Sequence, residues 1–239
     1  MNQHKQDNKK IIPFRQSSQS RKPFHHDHPI SNEFKNELLH IYHEVTSYIS
    51  STYYIDFQST LQQFSNDYNV PVAKRKDLEH QLFWWKIVSQ AAKGVSAIDE
   101  YLTDTEMRWQ AKPLSLSWLK EWNKSIPTFY YVGHLFSNHH LILVDIFKEE
   151  TVEVMMLDPH MALIEKGEIL FGMLLPIGGS NYFPIDYFYH FDLRVNREIA
   201  TYISDHCHTY SKKYNIYDAI LRLIAETLEL EYYLLSTKD

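Results

Sequence analysis

The hydrophobic period of this 239-residue chain changes at Pro127. Upstream, apolar residues recur at helical spacing. Downstream, β-branched and aromatic runs of strand length follow one another between turn residues. Helices and strands segregated in this way predict an α+β fold rather than an alternating parallel sheet.

Within residues 31–126, "SNEFKNELLHIYHEVTSYIS" puts Phe34, Leu38, Ile41, Tyr42, Val45, Tyr48 and Ile49 at helical spacing, with Ser31 or Asn32 as cap and Glu33 in the first turn. "YIDFQSTLQQF" extends the pattern until Asn69 and Pro71 interrupt it. "KDLEHQLFWWKIVSQAAKG" predicts another helix ending near Gly94. "VSAIDEYL" and "LSLSWLKEWNKS" predict two shorter ones, the last capped by Ser115 or Ser117.

Beyond Pro127, "TFYYVGHLF", "HHLILVDIF" and "TVEVMML" predict a three-stranded meander, and "EILFGMLLPI" and "NYFPIDYFYHF" supply two more strands. Five short strands with hairpin-length connections suit a small antiparallel barrel-like sheet over residues 127–190, an arrangement that hides its edges. Ile169, Phe171 and Met173 alternate with Leu170, Gly172 and Leu174, so both faces of that strand are apolar. Such a strand is expected between a barrel interior and a layer of helices. Lys166-Gly167 predicts a tight turn, Gly172 a bend or close approach, and Pro176 the strand end. Residues 191–239 read as two C-terminal helices, about 194–211 and 216–235, packed on the barrel. Residues 1–30 are polar and aperiodic, and are expected to be a disordered basic arm.

The central stretch resembles the scaffold region of bacterial SEC-C motif-containing proteins. The matching residues are Phe83, Trp84 and Trp85, then Gly94, Ile98, Tyr101 and Leu102, then Trp118 and Trp122, followed by "LVDIF" around Asp145 and "EKGEILFGMLLPIGG" over residues 165–179. The likeness covers about residues 80–179. It departs at Val88 and Ser89, where the family has an acidic residue, and at the glycine-free turn Lys148-Glu149-Glu150. The C-terminal stretch "ETLELEYYLLSTKD" has no cysteine, so the resemblance implies the helical-plus-barrel scaffold without the zinc-binding tail.

Charge narrows the possible partners. The arm carries six Lys/Arg against Asp7 and Asp27, net +4 within an overall −6, so the rest of the chain holds −10. An acidic body disfavours nucleic acid and anionic membranes as partners. Apolar runs such as 169–177 stop short of the ~20 residues that span a bilayer. "MNQHKQDNKK" has no apolar signal-peptide core, and a single cysteine makes no internal disulfide, so a cytoplasmic location is expected.

The chemistry-bearing candidates are few. "SDHCHTY" sets His206 and His208 beside Cys207, but on a helix the two histidines lie about 200° apart and cannot share one ion. Helical spacing places His206 near the centre of the apolar face, Cys207 at its flank and His208 outside. His139 and His140 point to opposite sides of a strand. His25, His26 and His28 crowd Asp27 in the arm, and His134, Asp158 and His160 could converge at meander ends. No HExxH, CxxC, Walker A, GxGxxG or GxSxG pattern is present. No catalytic residue, metal ligand or cofactor is therefore assigned. The aromatic run "NYFPIDYFYHFD" offers Tyr182, Tyr187 and Tyr189 as a protein-binding surface, with packing between barrel and C-terminal helices as the competing reading. The expected function is a non-catalytic cytoplasmic interaction or regulatory protein with a protein partner. The alternatives are RNA or single-stranded DNA binding through the barrel face and the arm, and a metal-dependent enzyme using clustered histidines.

Overall fold

The computed structural model describes residues 31–237 apart from 92–93, 106–108, 110–111, 138–139, 158–163, 179–180 and 186. The arm over 1–30 lies outside the described residues. Ser31 caps α1 (Asn32–Asp67) by accepting the Phe34 N–H at 3.2 Å. The helix buries Leu38, Ile41, Val45 and Ile49 as one stripe, each contributing about 1.5–3 kcal/mol relative to an exposed position. Asn69, at φ 53°, and Pro71 then break the chain before α2 (Val72–Ala91). α3 (Ala97–Asp104) opens with a capping box in which Ser96 accepts the Asp99 N–H and Asp99 answers the Ser96 N–H. α4 (Pro113–Trp122) starts at its proline and not at a serine cap. Proline suits the first turn because its missing N–H has no helical acceptor to meet, and Ser115 is instead buried inside the helix.

The fold is α+β, as the change of period predicts, but where five strands are expected the described residues form seven. They are β1 (Thr128–Ser137), β2 (His140–Asp145), β3 (Glu150–Met155), β4 (Ile169–Gly172), β5 (Leu174–Gly178), β6 (Asn181–Pro184) and β7 (Tyr189–His190), ordered β5-β6-β3-β2-β1-β4-β7. Each of the two later strand runs is divided. "EILFGMLLPI" breaks at Met173 and "NYFPIDYFYHF" breaks between β6 and β7. Pairing is antiparallel except for β3 with β6, which run parallel through Glu153–Asn181 and Val154–Tyr182. The all-antiparallel expectation fails there because β6 returns to the meander from the far side of the break.

Met173 also sets the curvature. β4 lies beside β1, whereas β5 lies at the opposite edge, five strand spacings away in the sheet order. A flat sheet would separate them by about 24 Å, yet the two peptide links through Met173 reach only about 7 Å. The sheet must therefore roll until its two ends meet at Met173, whose carbonyl accepts the Ile185 N–H at 3.0 Å. The result is a curled half-barrel joined covalently at the seam, not a barrel closed by a strand ladder.

This curl gives the strands two buried faces. The convex face, with Phe129, Ile169, Phe171, Leu175, Ile177 and Phe183, shares one apolar cluster with α1–α4 and the C-terminal helices α5 (Asn196–Lys213) and α6 (Ile216–Ser236). The concave face holds a separate cluster of Tyr130, Val132, Leu141, Leu143, Val154, Met156, Leu170, Leu174 and Phe188. All four residues of β4 are buried, as its two apolar faces predict. Pro176 does not end its strand. It sits within the edge strand β5, where a missing N–H is tolerated. The Trp122 indole donates to the Pro176 carbonyl and the Trp118 indole to that of Ile177, so α4 covers the exposed edge. Gly167 takes the predicted turn at φ 92°. No helix among the described residues is long and apolar enough to cross a membrane.

Candidate functional site

The concave interior is packed along most of its length but opens at the end where β2 turns into β3. There a cleft of about 350 Å³ is floored by Thr128, Tyr130, Asp145, Val152, Leu174 and Tyr182. Its outer wall comes from the residues after α4 (Lys124, Ser125, Ile126), the β2–β3 turn (Phe147, Lys148) and the α5–α6 junction (Ser211, Ile216, Ile220). Three parts of the fold thus meet around one opening, a common setting for ligand sites.

The polar groups on the floor follow from strand periodicity. Thr128 and Tyr130 are two apart on β1 and share its concave side. Asp145 pairs directly with Tyr130 across the β1–β2 ladder. Asp145 is only 4% exposed, and its Oδ1 accepts the Phe147 and Lys148 N–H groups at 2.9 and 3.0 Å, building the turn that ends β2. Both bonds fall on Oδ1, and among the described residues no donor reaches Oδ2. Burial raises the Asp145 pKa above the usual aspartate value, with the two turn N–H groups and the Lys148 charge working against that rise and Glu150 adding to it. No ion pair joins Asp145 to Lys148.

Thr128 is also 4% exposed, and its hydroxyl has no hydrogen-bond partner among the described residues. Burial, reinforced by Asp145 and Tyr182, pushes the Tyr130 phenol well above its ordinary pKa, so it stays protonated. The floor therefore presents a carboxylate oxygen and two neutral hydroxyls with no protein donor to them among the described residues. An unsatisfied buried polar group costs about 1–3 kcal/mol. Thr128 Oγ1 is such a group, and with the Asp145 and Tyr130 oxygens beside it the cleft floor is a surface made to meet something else. The turn beside them holds Glu149 at φ 54°, a conformation that usually selects glycine.

The sequence-predicted aromatic surface does not form as one platform. Tyr182 is half-buried and belongs to the cleft. Tyr187 is 36% exposed, and its carbonyl accepts from the buried Gln81 amide of α2. Tyr189 is wholly buried and cannot meet a partner. Its hydroxyl donates to Glu231 Oε2 at 2.6 Å, while Glu231 Oε1 accepts from Lys74 at 2.8 Å and from the Asp192 N–H at 2.7 Å. Lys74 also lies 5.0 Å from the centre of the Tyr189 ring. The packing reading holds for this residue: the knot ties α2, β7 and α6 together.

"SDHCHTY" lies on α5 and is rotated from its expected setting. Cys207 joins Ile199 and Ile203 in the core, and His206 sits at the flank. The apolar face read from sequence included Tyr202 and Tyr210. Their hydroxyls both need an acceptor and find Glu226 on α6, at 2.9 and 2.6 Å, which turns that ridge to the helix boundary. His206 stacks on Tyr202 with ring centres 4.1 Å apart and donates from Nδ1 to the Tyr202 carbonyl. His208 is exposed as expected. Burial raises the Cys207 thiol pKa. Among the described residues, no three His, Cys, Asp or Glu side chains gather as a metal-binding group. His139, Asp158, His160 and the arm histidines lie outside the described residues, and His134 is exposed against Phe136.

Sequence reasoning missed Thr128 and Tyr130 as site residues and noted Asp145 only through a resemblance. A signal was present: an aspartate closing the run "LILVD" and a Thr-x-Tyr pair opening "TFYYV". Compared with known protein families, curated proteins and solved structures, the chain finds no match.

Proposed function

We propose that this is a non-catalytic cytoplasmic interaction protein that receives a segment of a protein partner in the cleft at the mouth of its half-barrel. The observation that carries this reading is the buried Thr128 hydroxyl, without a partner among the described residues and set beside Asp145 in an aromatic-walled opening. Tyr182 supplies part of that wall, so the proposed surface keeps one of the three tyrosines singled out from sequence. The likeness of residues 80–179 to the SEC-C scaffold region belongs to the same proposal, since the cleft floor and the α4 wall fall largely within that stretch.

The test is selective blockage. Ser125 is half-buried on the outer wall, in the loop after α4. Ser125→Trp fills the opening without touching a core side chain. Partner capture by chemical cross-linking in native lysate should be lost with Ser125→Trp and retained with Lys76→Trp, a bulky change at an exposed position of α2. Capture that is indifferent to Ser125→Trp rules the cleft out.

A further inference from the structure

We infer that the group received by the cleft is an alkylammonium, the lysine side chain of a protein partner, seated between Asp145, Thr128 and Tyr130 against the ring of Tyr182. This inference rests on the binding reading above and names the chemistry of the same site.

The argument is one of matching donors to acceptors. An ammonium carries three N–H donors and no acceptor. The cleft floor offers three oxygens that no protein donor reaches among the described residues: Asp145 Oδ2, Thr128 Oγ1 and the Tyr130 hydroxyl. Charge agrees with this count. A carboxylate held at 4% exposure without an ion pair among the described residues calls for a cation, because a buried charge is expensive until it is paired. Tyrosine rings beside the carboxylate add cation–π attraction.

Guanidinium fits less well. Its planar fork matches both oxygens of a carboxylate at once, and Asp145 Oδ1 is already committed to two backbone N–H groups. An anionic ligand would meet Asp145 and Glu150 directly. The cations on the rim do not reverse this balance. Lys124 is paired with Glu121 at 2.7 Å, and Lys148 is exposed and forms no ion pair with Asp145. Among the described residues Lys148 is the internal competitor, because its charge is felt at Asp145.

The probe is Nα-acetyl-lysine methylamide, with its side-chain ammonium free, titrated into the full chain and followed by the backbone amide signals of Thr128, Tyr130 and Asp145. It should bind about tenfold more tightly than Nα-acetyl-norleucine methylamide, whose side chain ends where the ammonium would be attached, the ratio expected for one charge-assisted contact. Asp145→Asn keeps the Oδ1 acceptor and the turn but removes the charge, and should abolish the preference. Thr128→Val should weaken the lysine probe, and Lys148→Met should leave it as tight or tighter.

Equal binding of the norleucine probe, or stronger binding of acetyl-glutamate methylamide, overturns the inference. Binding of n-butylamine about tenfold tighter than the lysine probe would assign the site to a free amine and overturn the assignment to a partner's side chain. Either failure leaves the Ser125→Trp experiment standing, whereas capture indifferent to Ser125→Trp removes the binding reading itself.

Discussion

Gly172→Ala is the most direct test of the seam that shapes the half-barrel. A Cβ at this position would lie 2.4 Å from Phe188 Cδ1 and 2.9 Å from Cε1. Carbon atoms prefer about 3.5–4.0 Å, so the ring or the strand must give way by roughly 1 Å. Neither has room. Phe188 is 2% exposed and packs edge-on against Tyr130 with ring centres 6.2 Å apart. Gly172 itself is held in register with Thr128 and adjoins the Met173 link.

Overpacking of this kind costs about 1–3 kcal/mol. For a chain of this size, that corresponds to a melting temperature lower by about 2–12 °C. The assay is thermal and urea unfolding of Gly172→Ala, Phe188→Leu and the double variant. A smaller side chain at 188 should make room for the new methyl, giving a favourable coupling of about 1 kcal/mol. Displacement should also reach the cleft through Tyr130, shifting the amide signals of Tyr130 and Asp145. An unchanged melting temperature with no coupling would refute the claim that Phe188 occupies the space left by Gly172.

Four further outcomes follow from specific contacts. Burial raises the folded-state pKa of Asp145 above the ordinary value of 3.8, so the native state holds this proton more tightly than the unfolded chain. Its contribution to stability is greatest below that value and declines as pH rises through the folded-state pKa. Asp145→Asn should therefore flatten this decline and be no less stable than wild type at pH 7, measured by urea unfolding across pH. A steeper fall would contradict it. Glu231→Ala strips the acceptor from Lys74, Tyr189 and the Asp192 N–H, and should cost about 3–5 kcal/mol by urea midpoint. A loss under about 1 kcal/mol would mean that the knot contributes little. Glu149→Gly should stabilise by about 0.5–1 kcal/mol, because glycine adopts the positive φ without strain but loses more backbone entropy. Cys207, 5% exposed with a raised thiol pKa, should react with Ellman's reagent only as the chain unfolds, and prompt labelling of the native protein would place it outside the core.

Much of the fold is legible in local sequence because it depends on local physics. Helical spacing from Phe34 to Ile49 places α1, and the capping box Ser96–Asp99 opens α3 within four residues of chain. The two apolar faces of "ILFG" foretell a strand buried on both sides, and Gly167 supplies the turn before it. Sequence also supplies Asp145 at the end of its strand, where its side chain can cap the turn that follows.

The errors share a cause. Whether "EILFGMLLPI" is one strand or two depends on where its neighbours lie, and β4 and β5 have different neighbours at opposite ends of one sheet. Whether Tyr189 is a surface ring or a core one depends on Glu231, 42 residues away. Cys207 turns inward because Glu226 draws Tyr202 and Tyr210 to the helix boundary.

Element type, turn chemistry and the α+β class were set by the sequence alone, since they arise from spacings of two to four residues. The curl, the seam at Met173 and the gathering of Thr128, Tyr130 and Asp145 around one cleft were decided only by tertiary structure. Hydrogen-bond partners and burial are properties of distant segments brought together, and no local pattern encodes which oxygen on a strand is left without a donor.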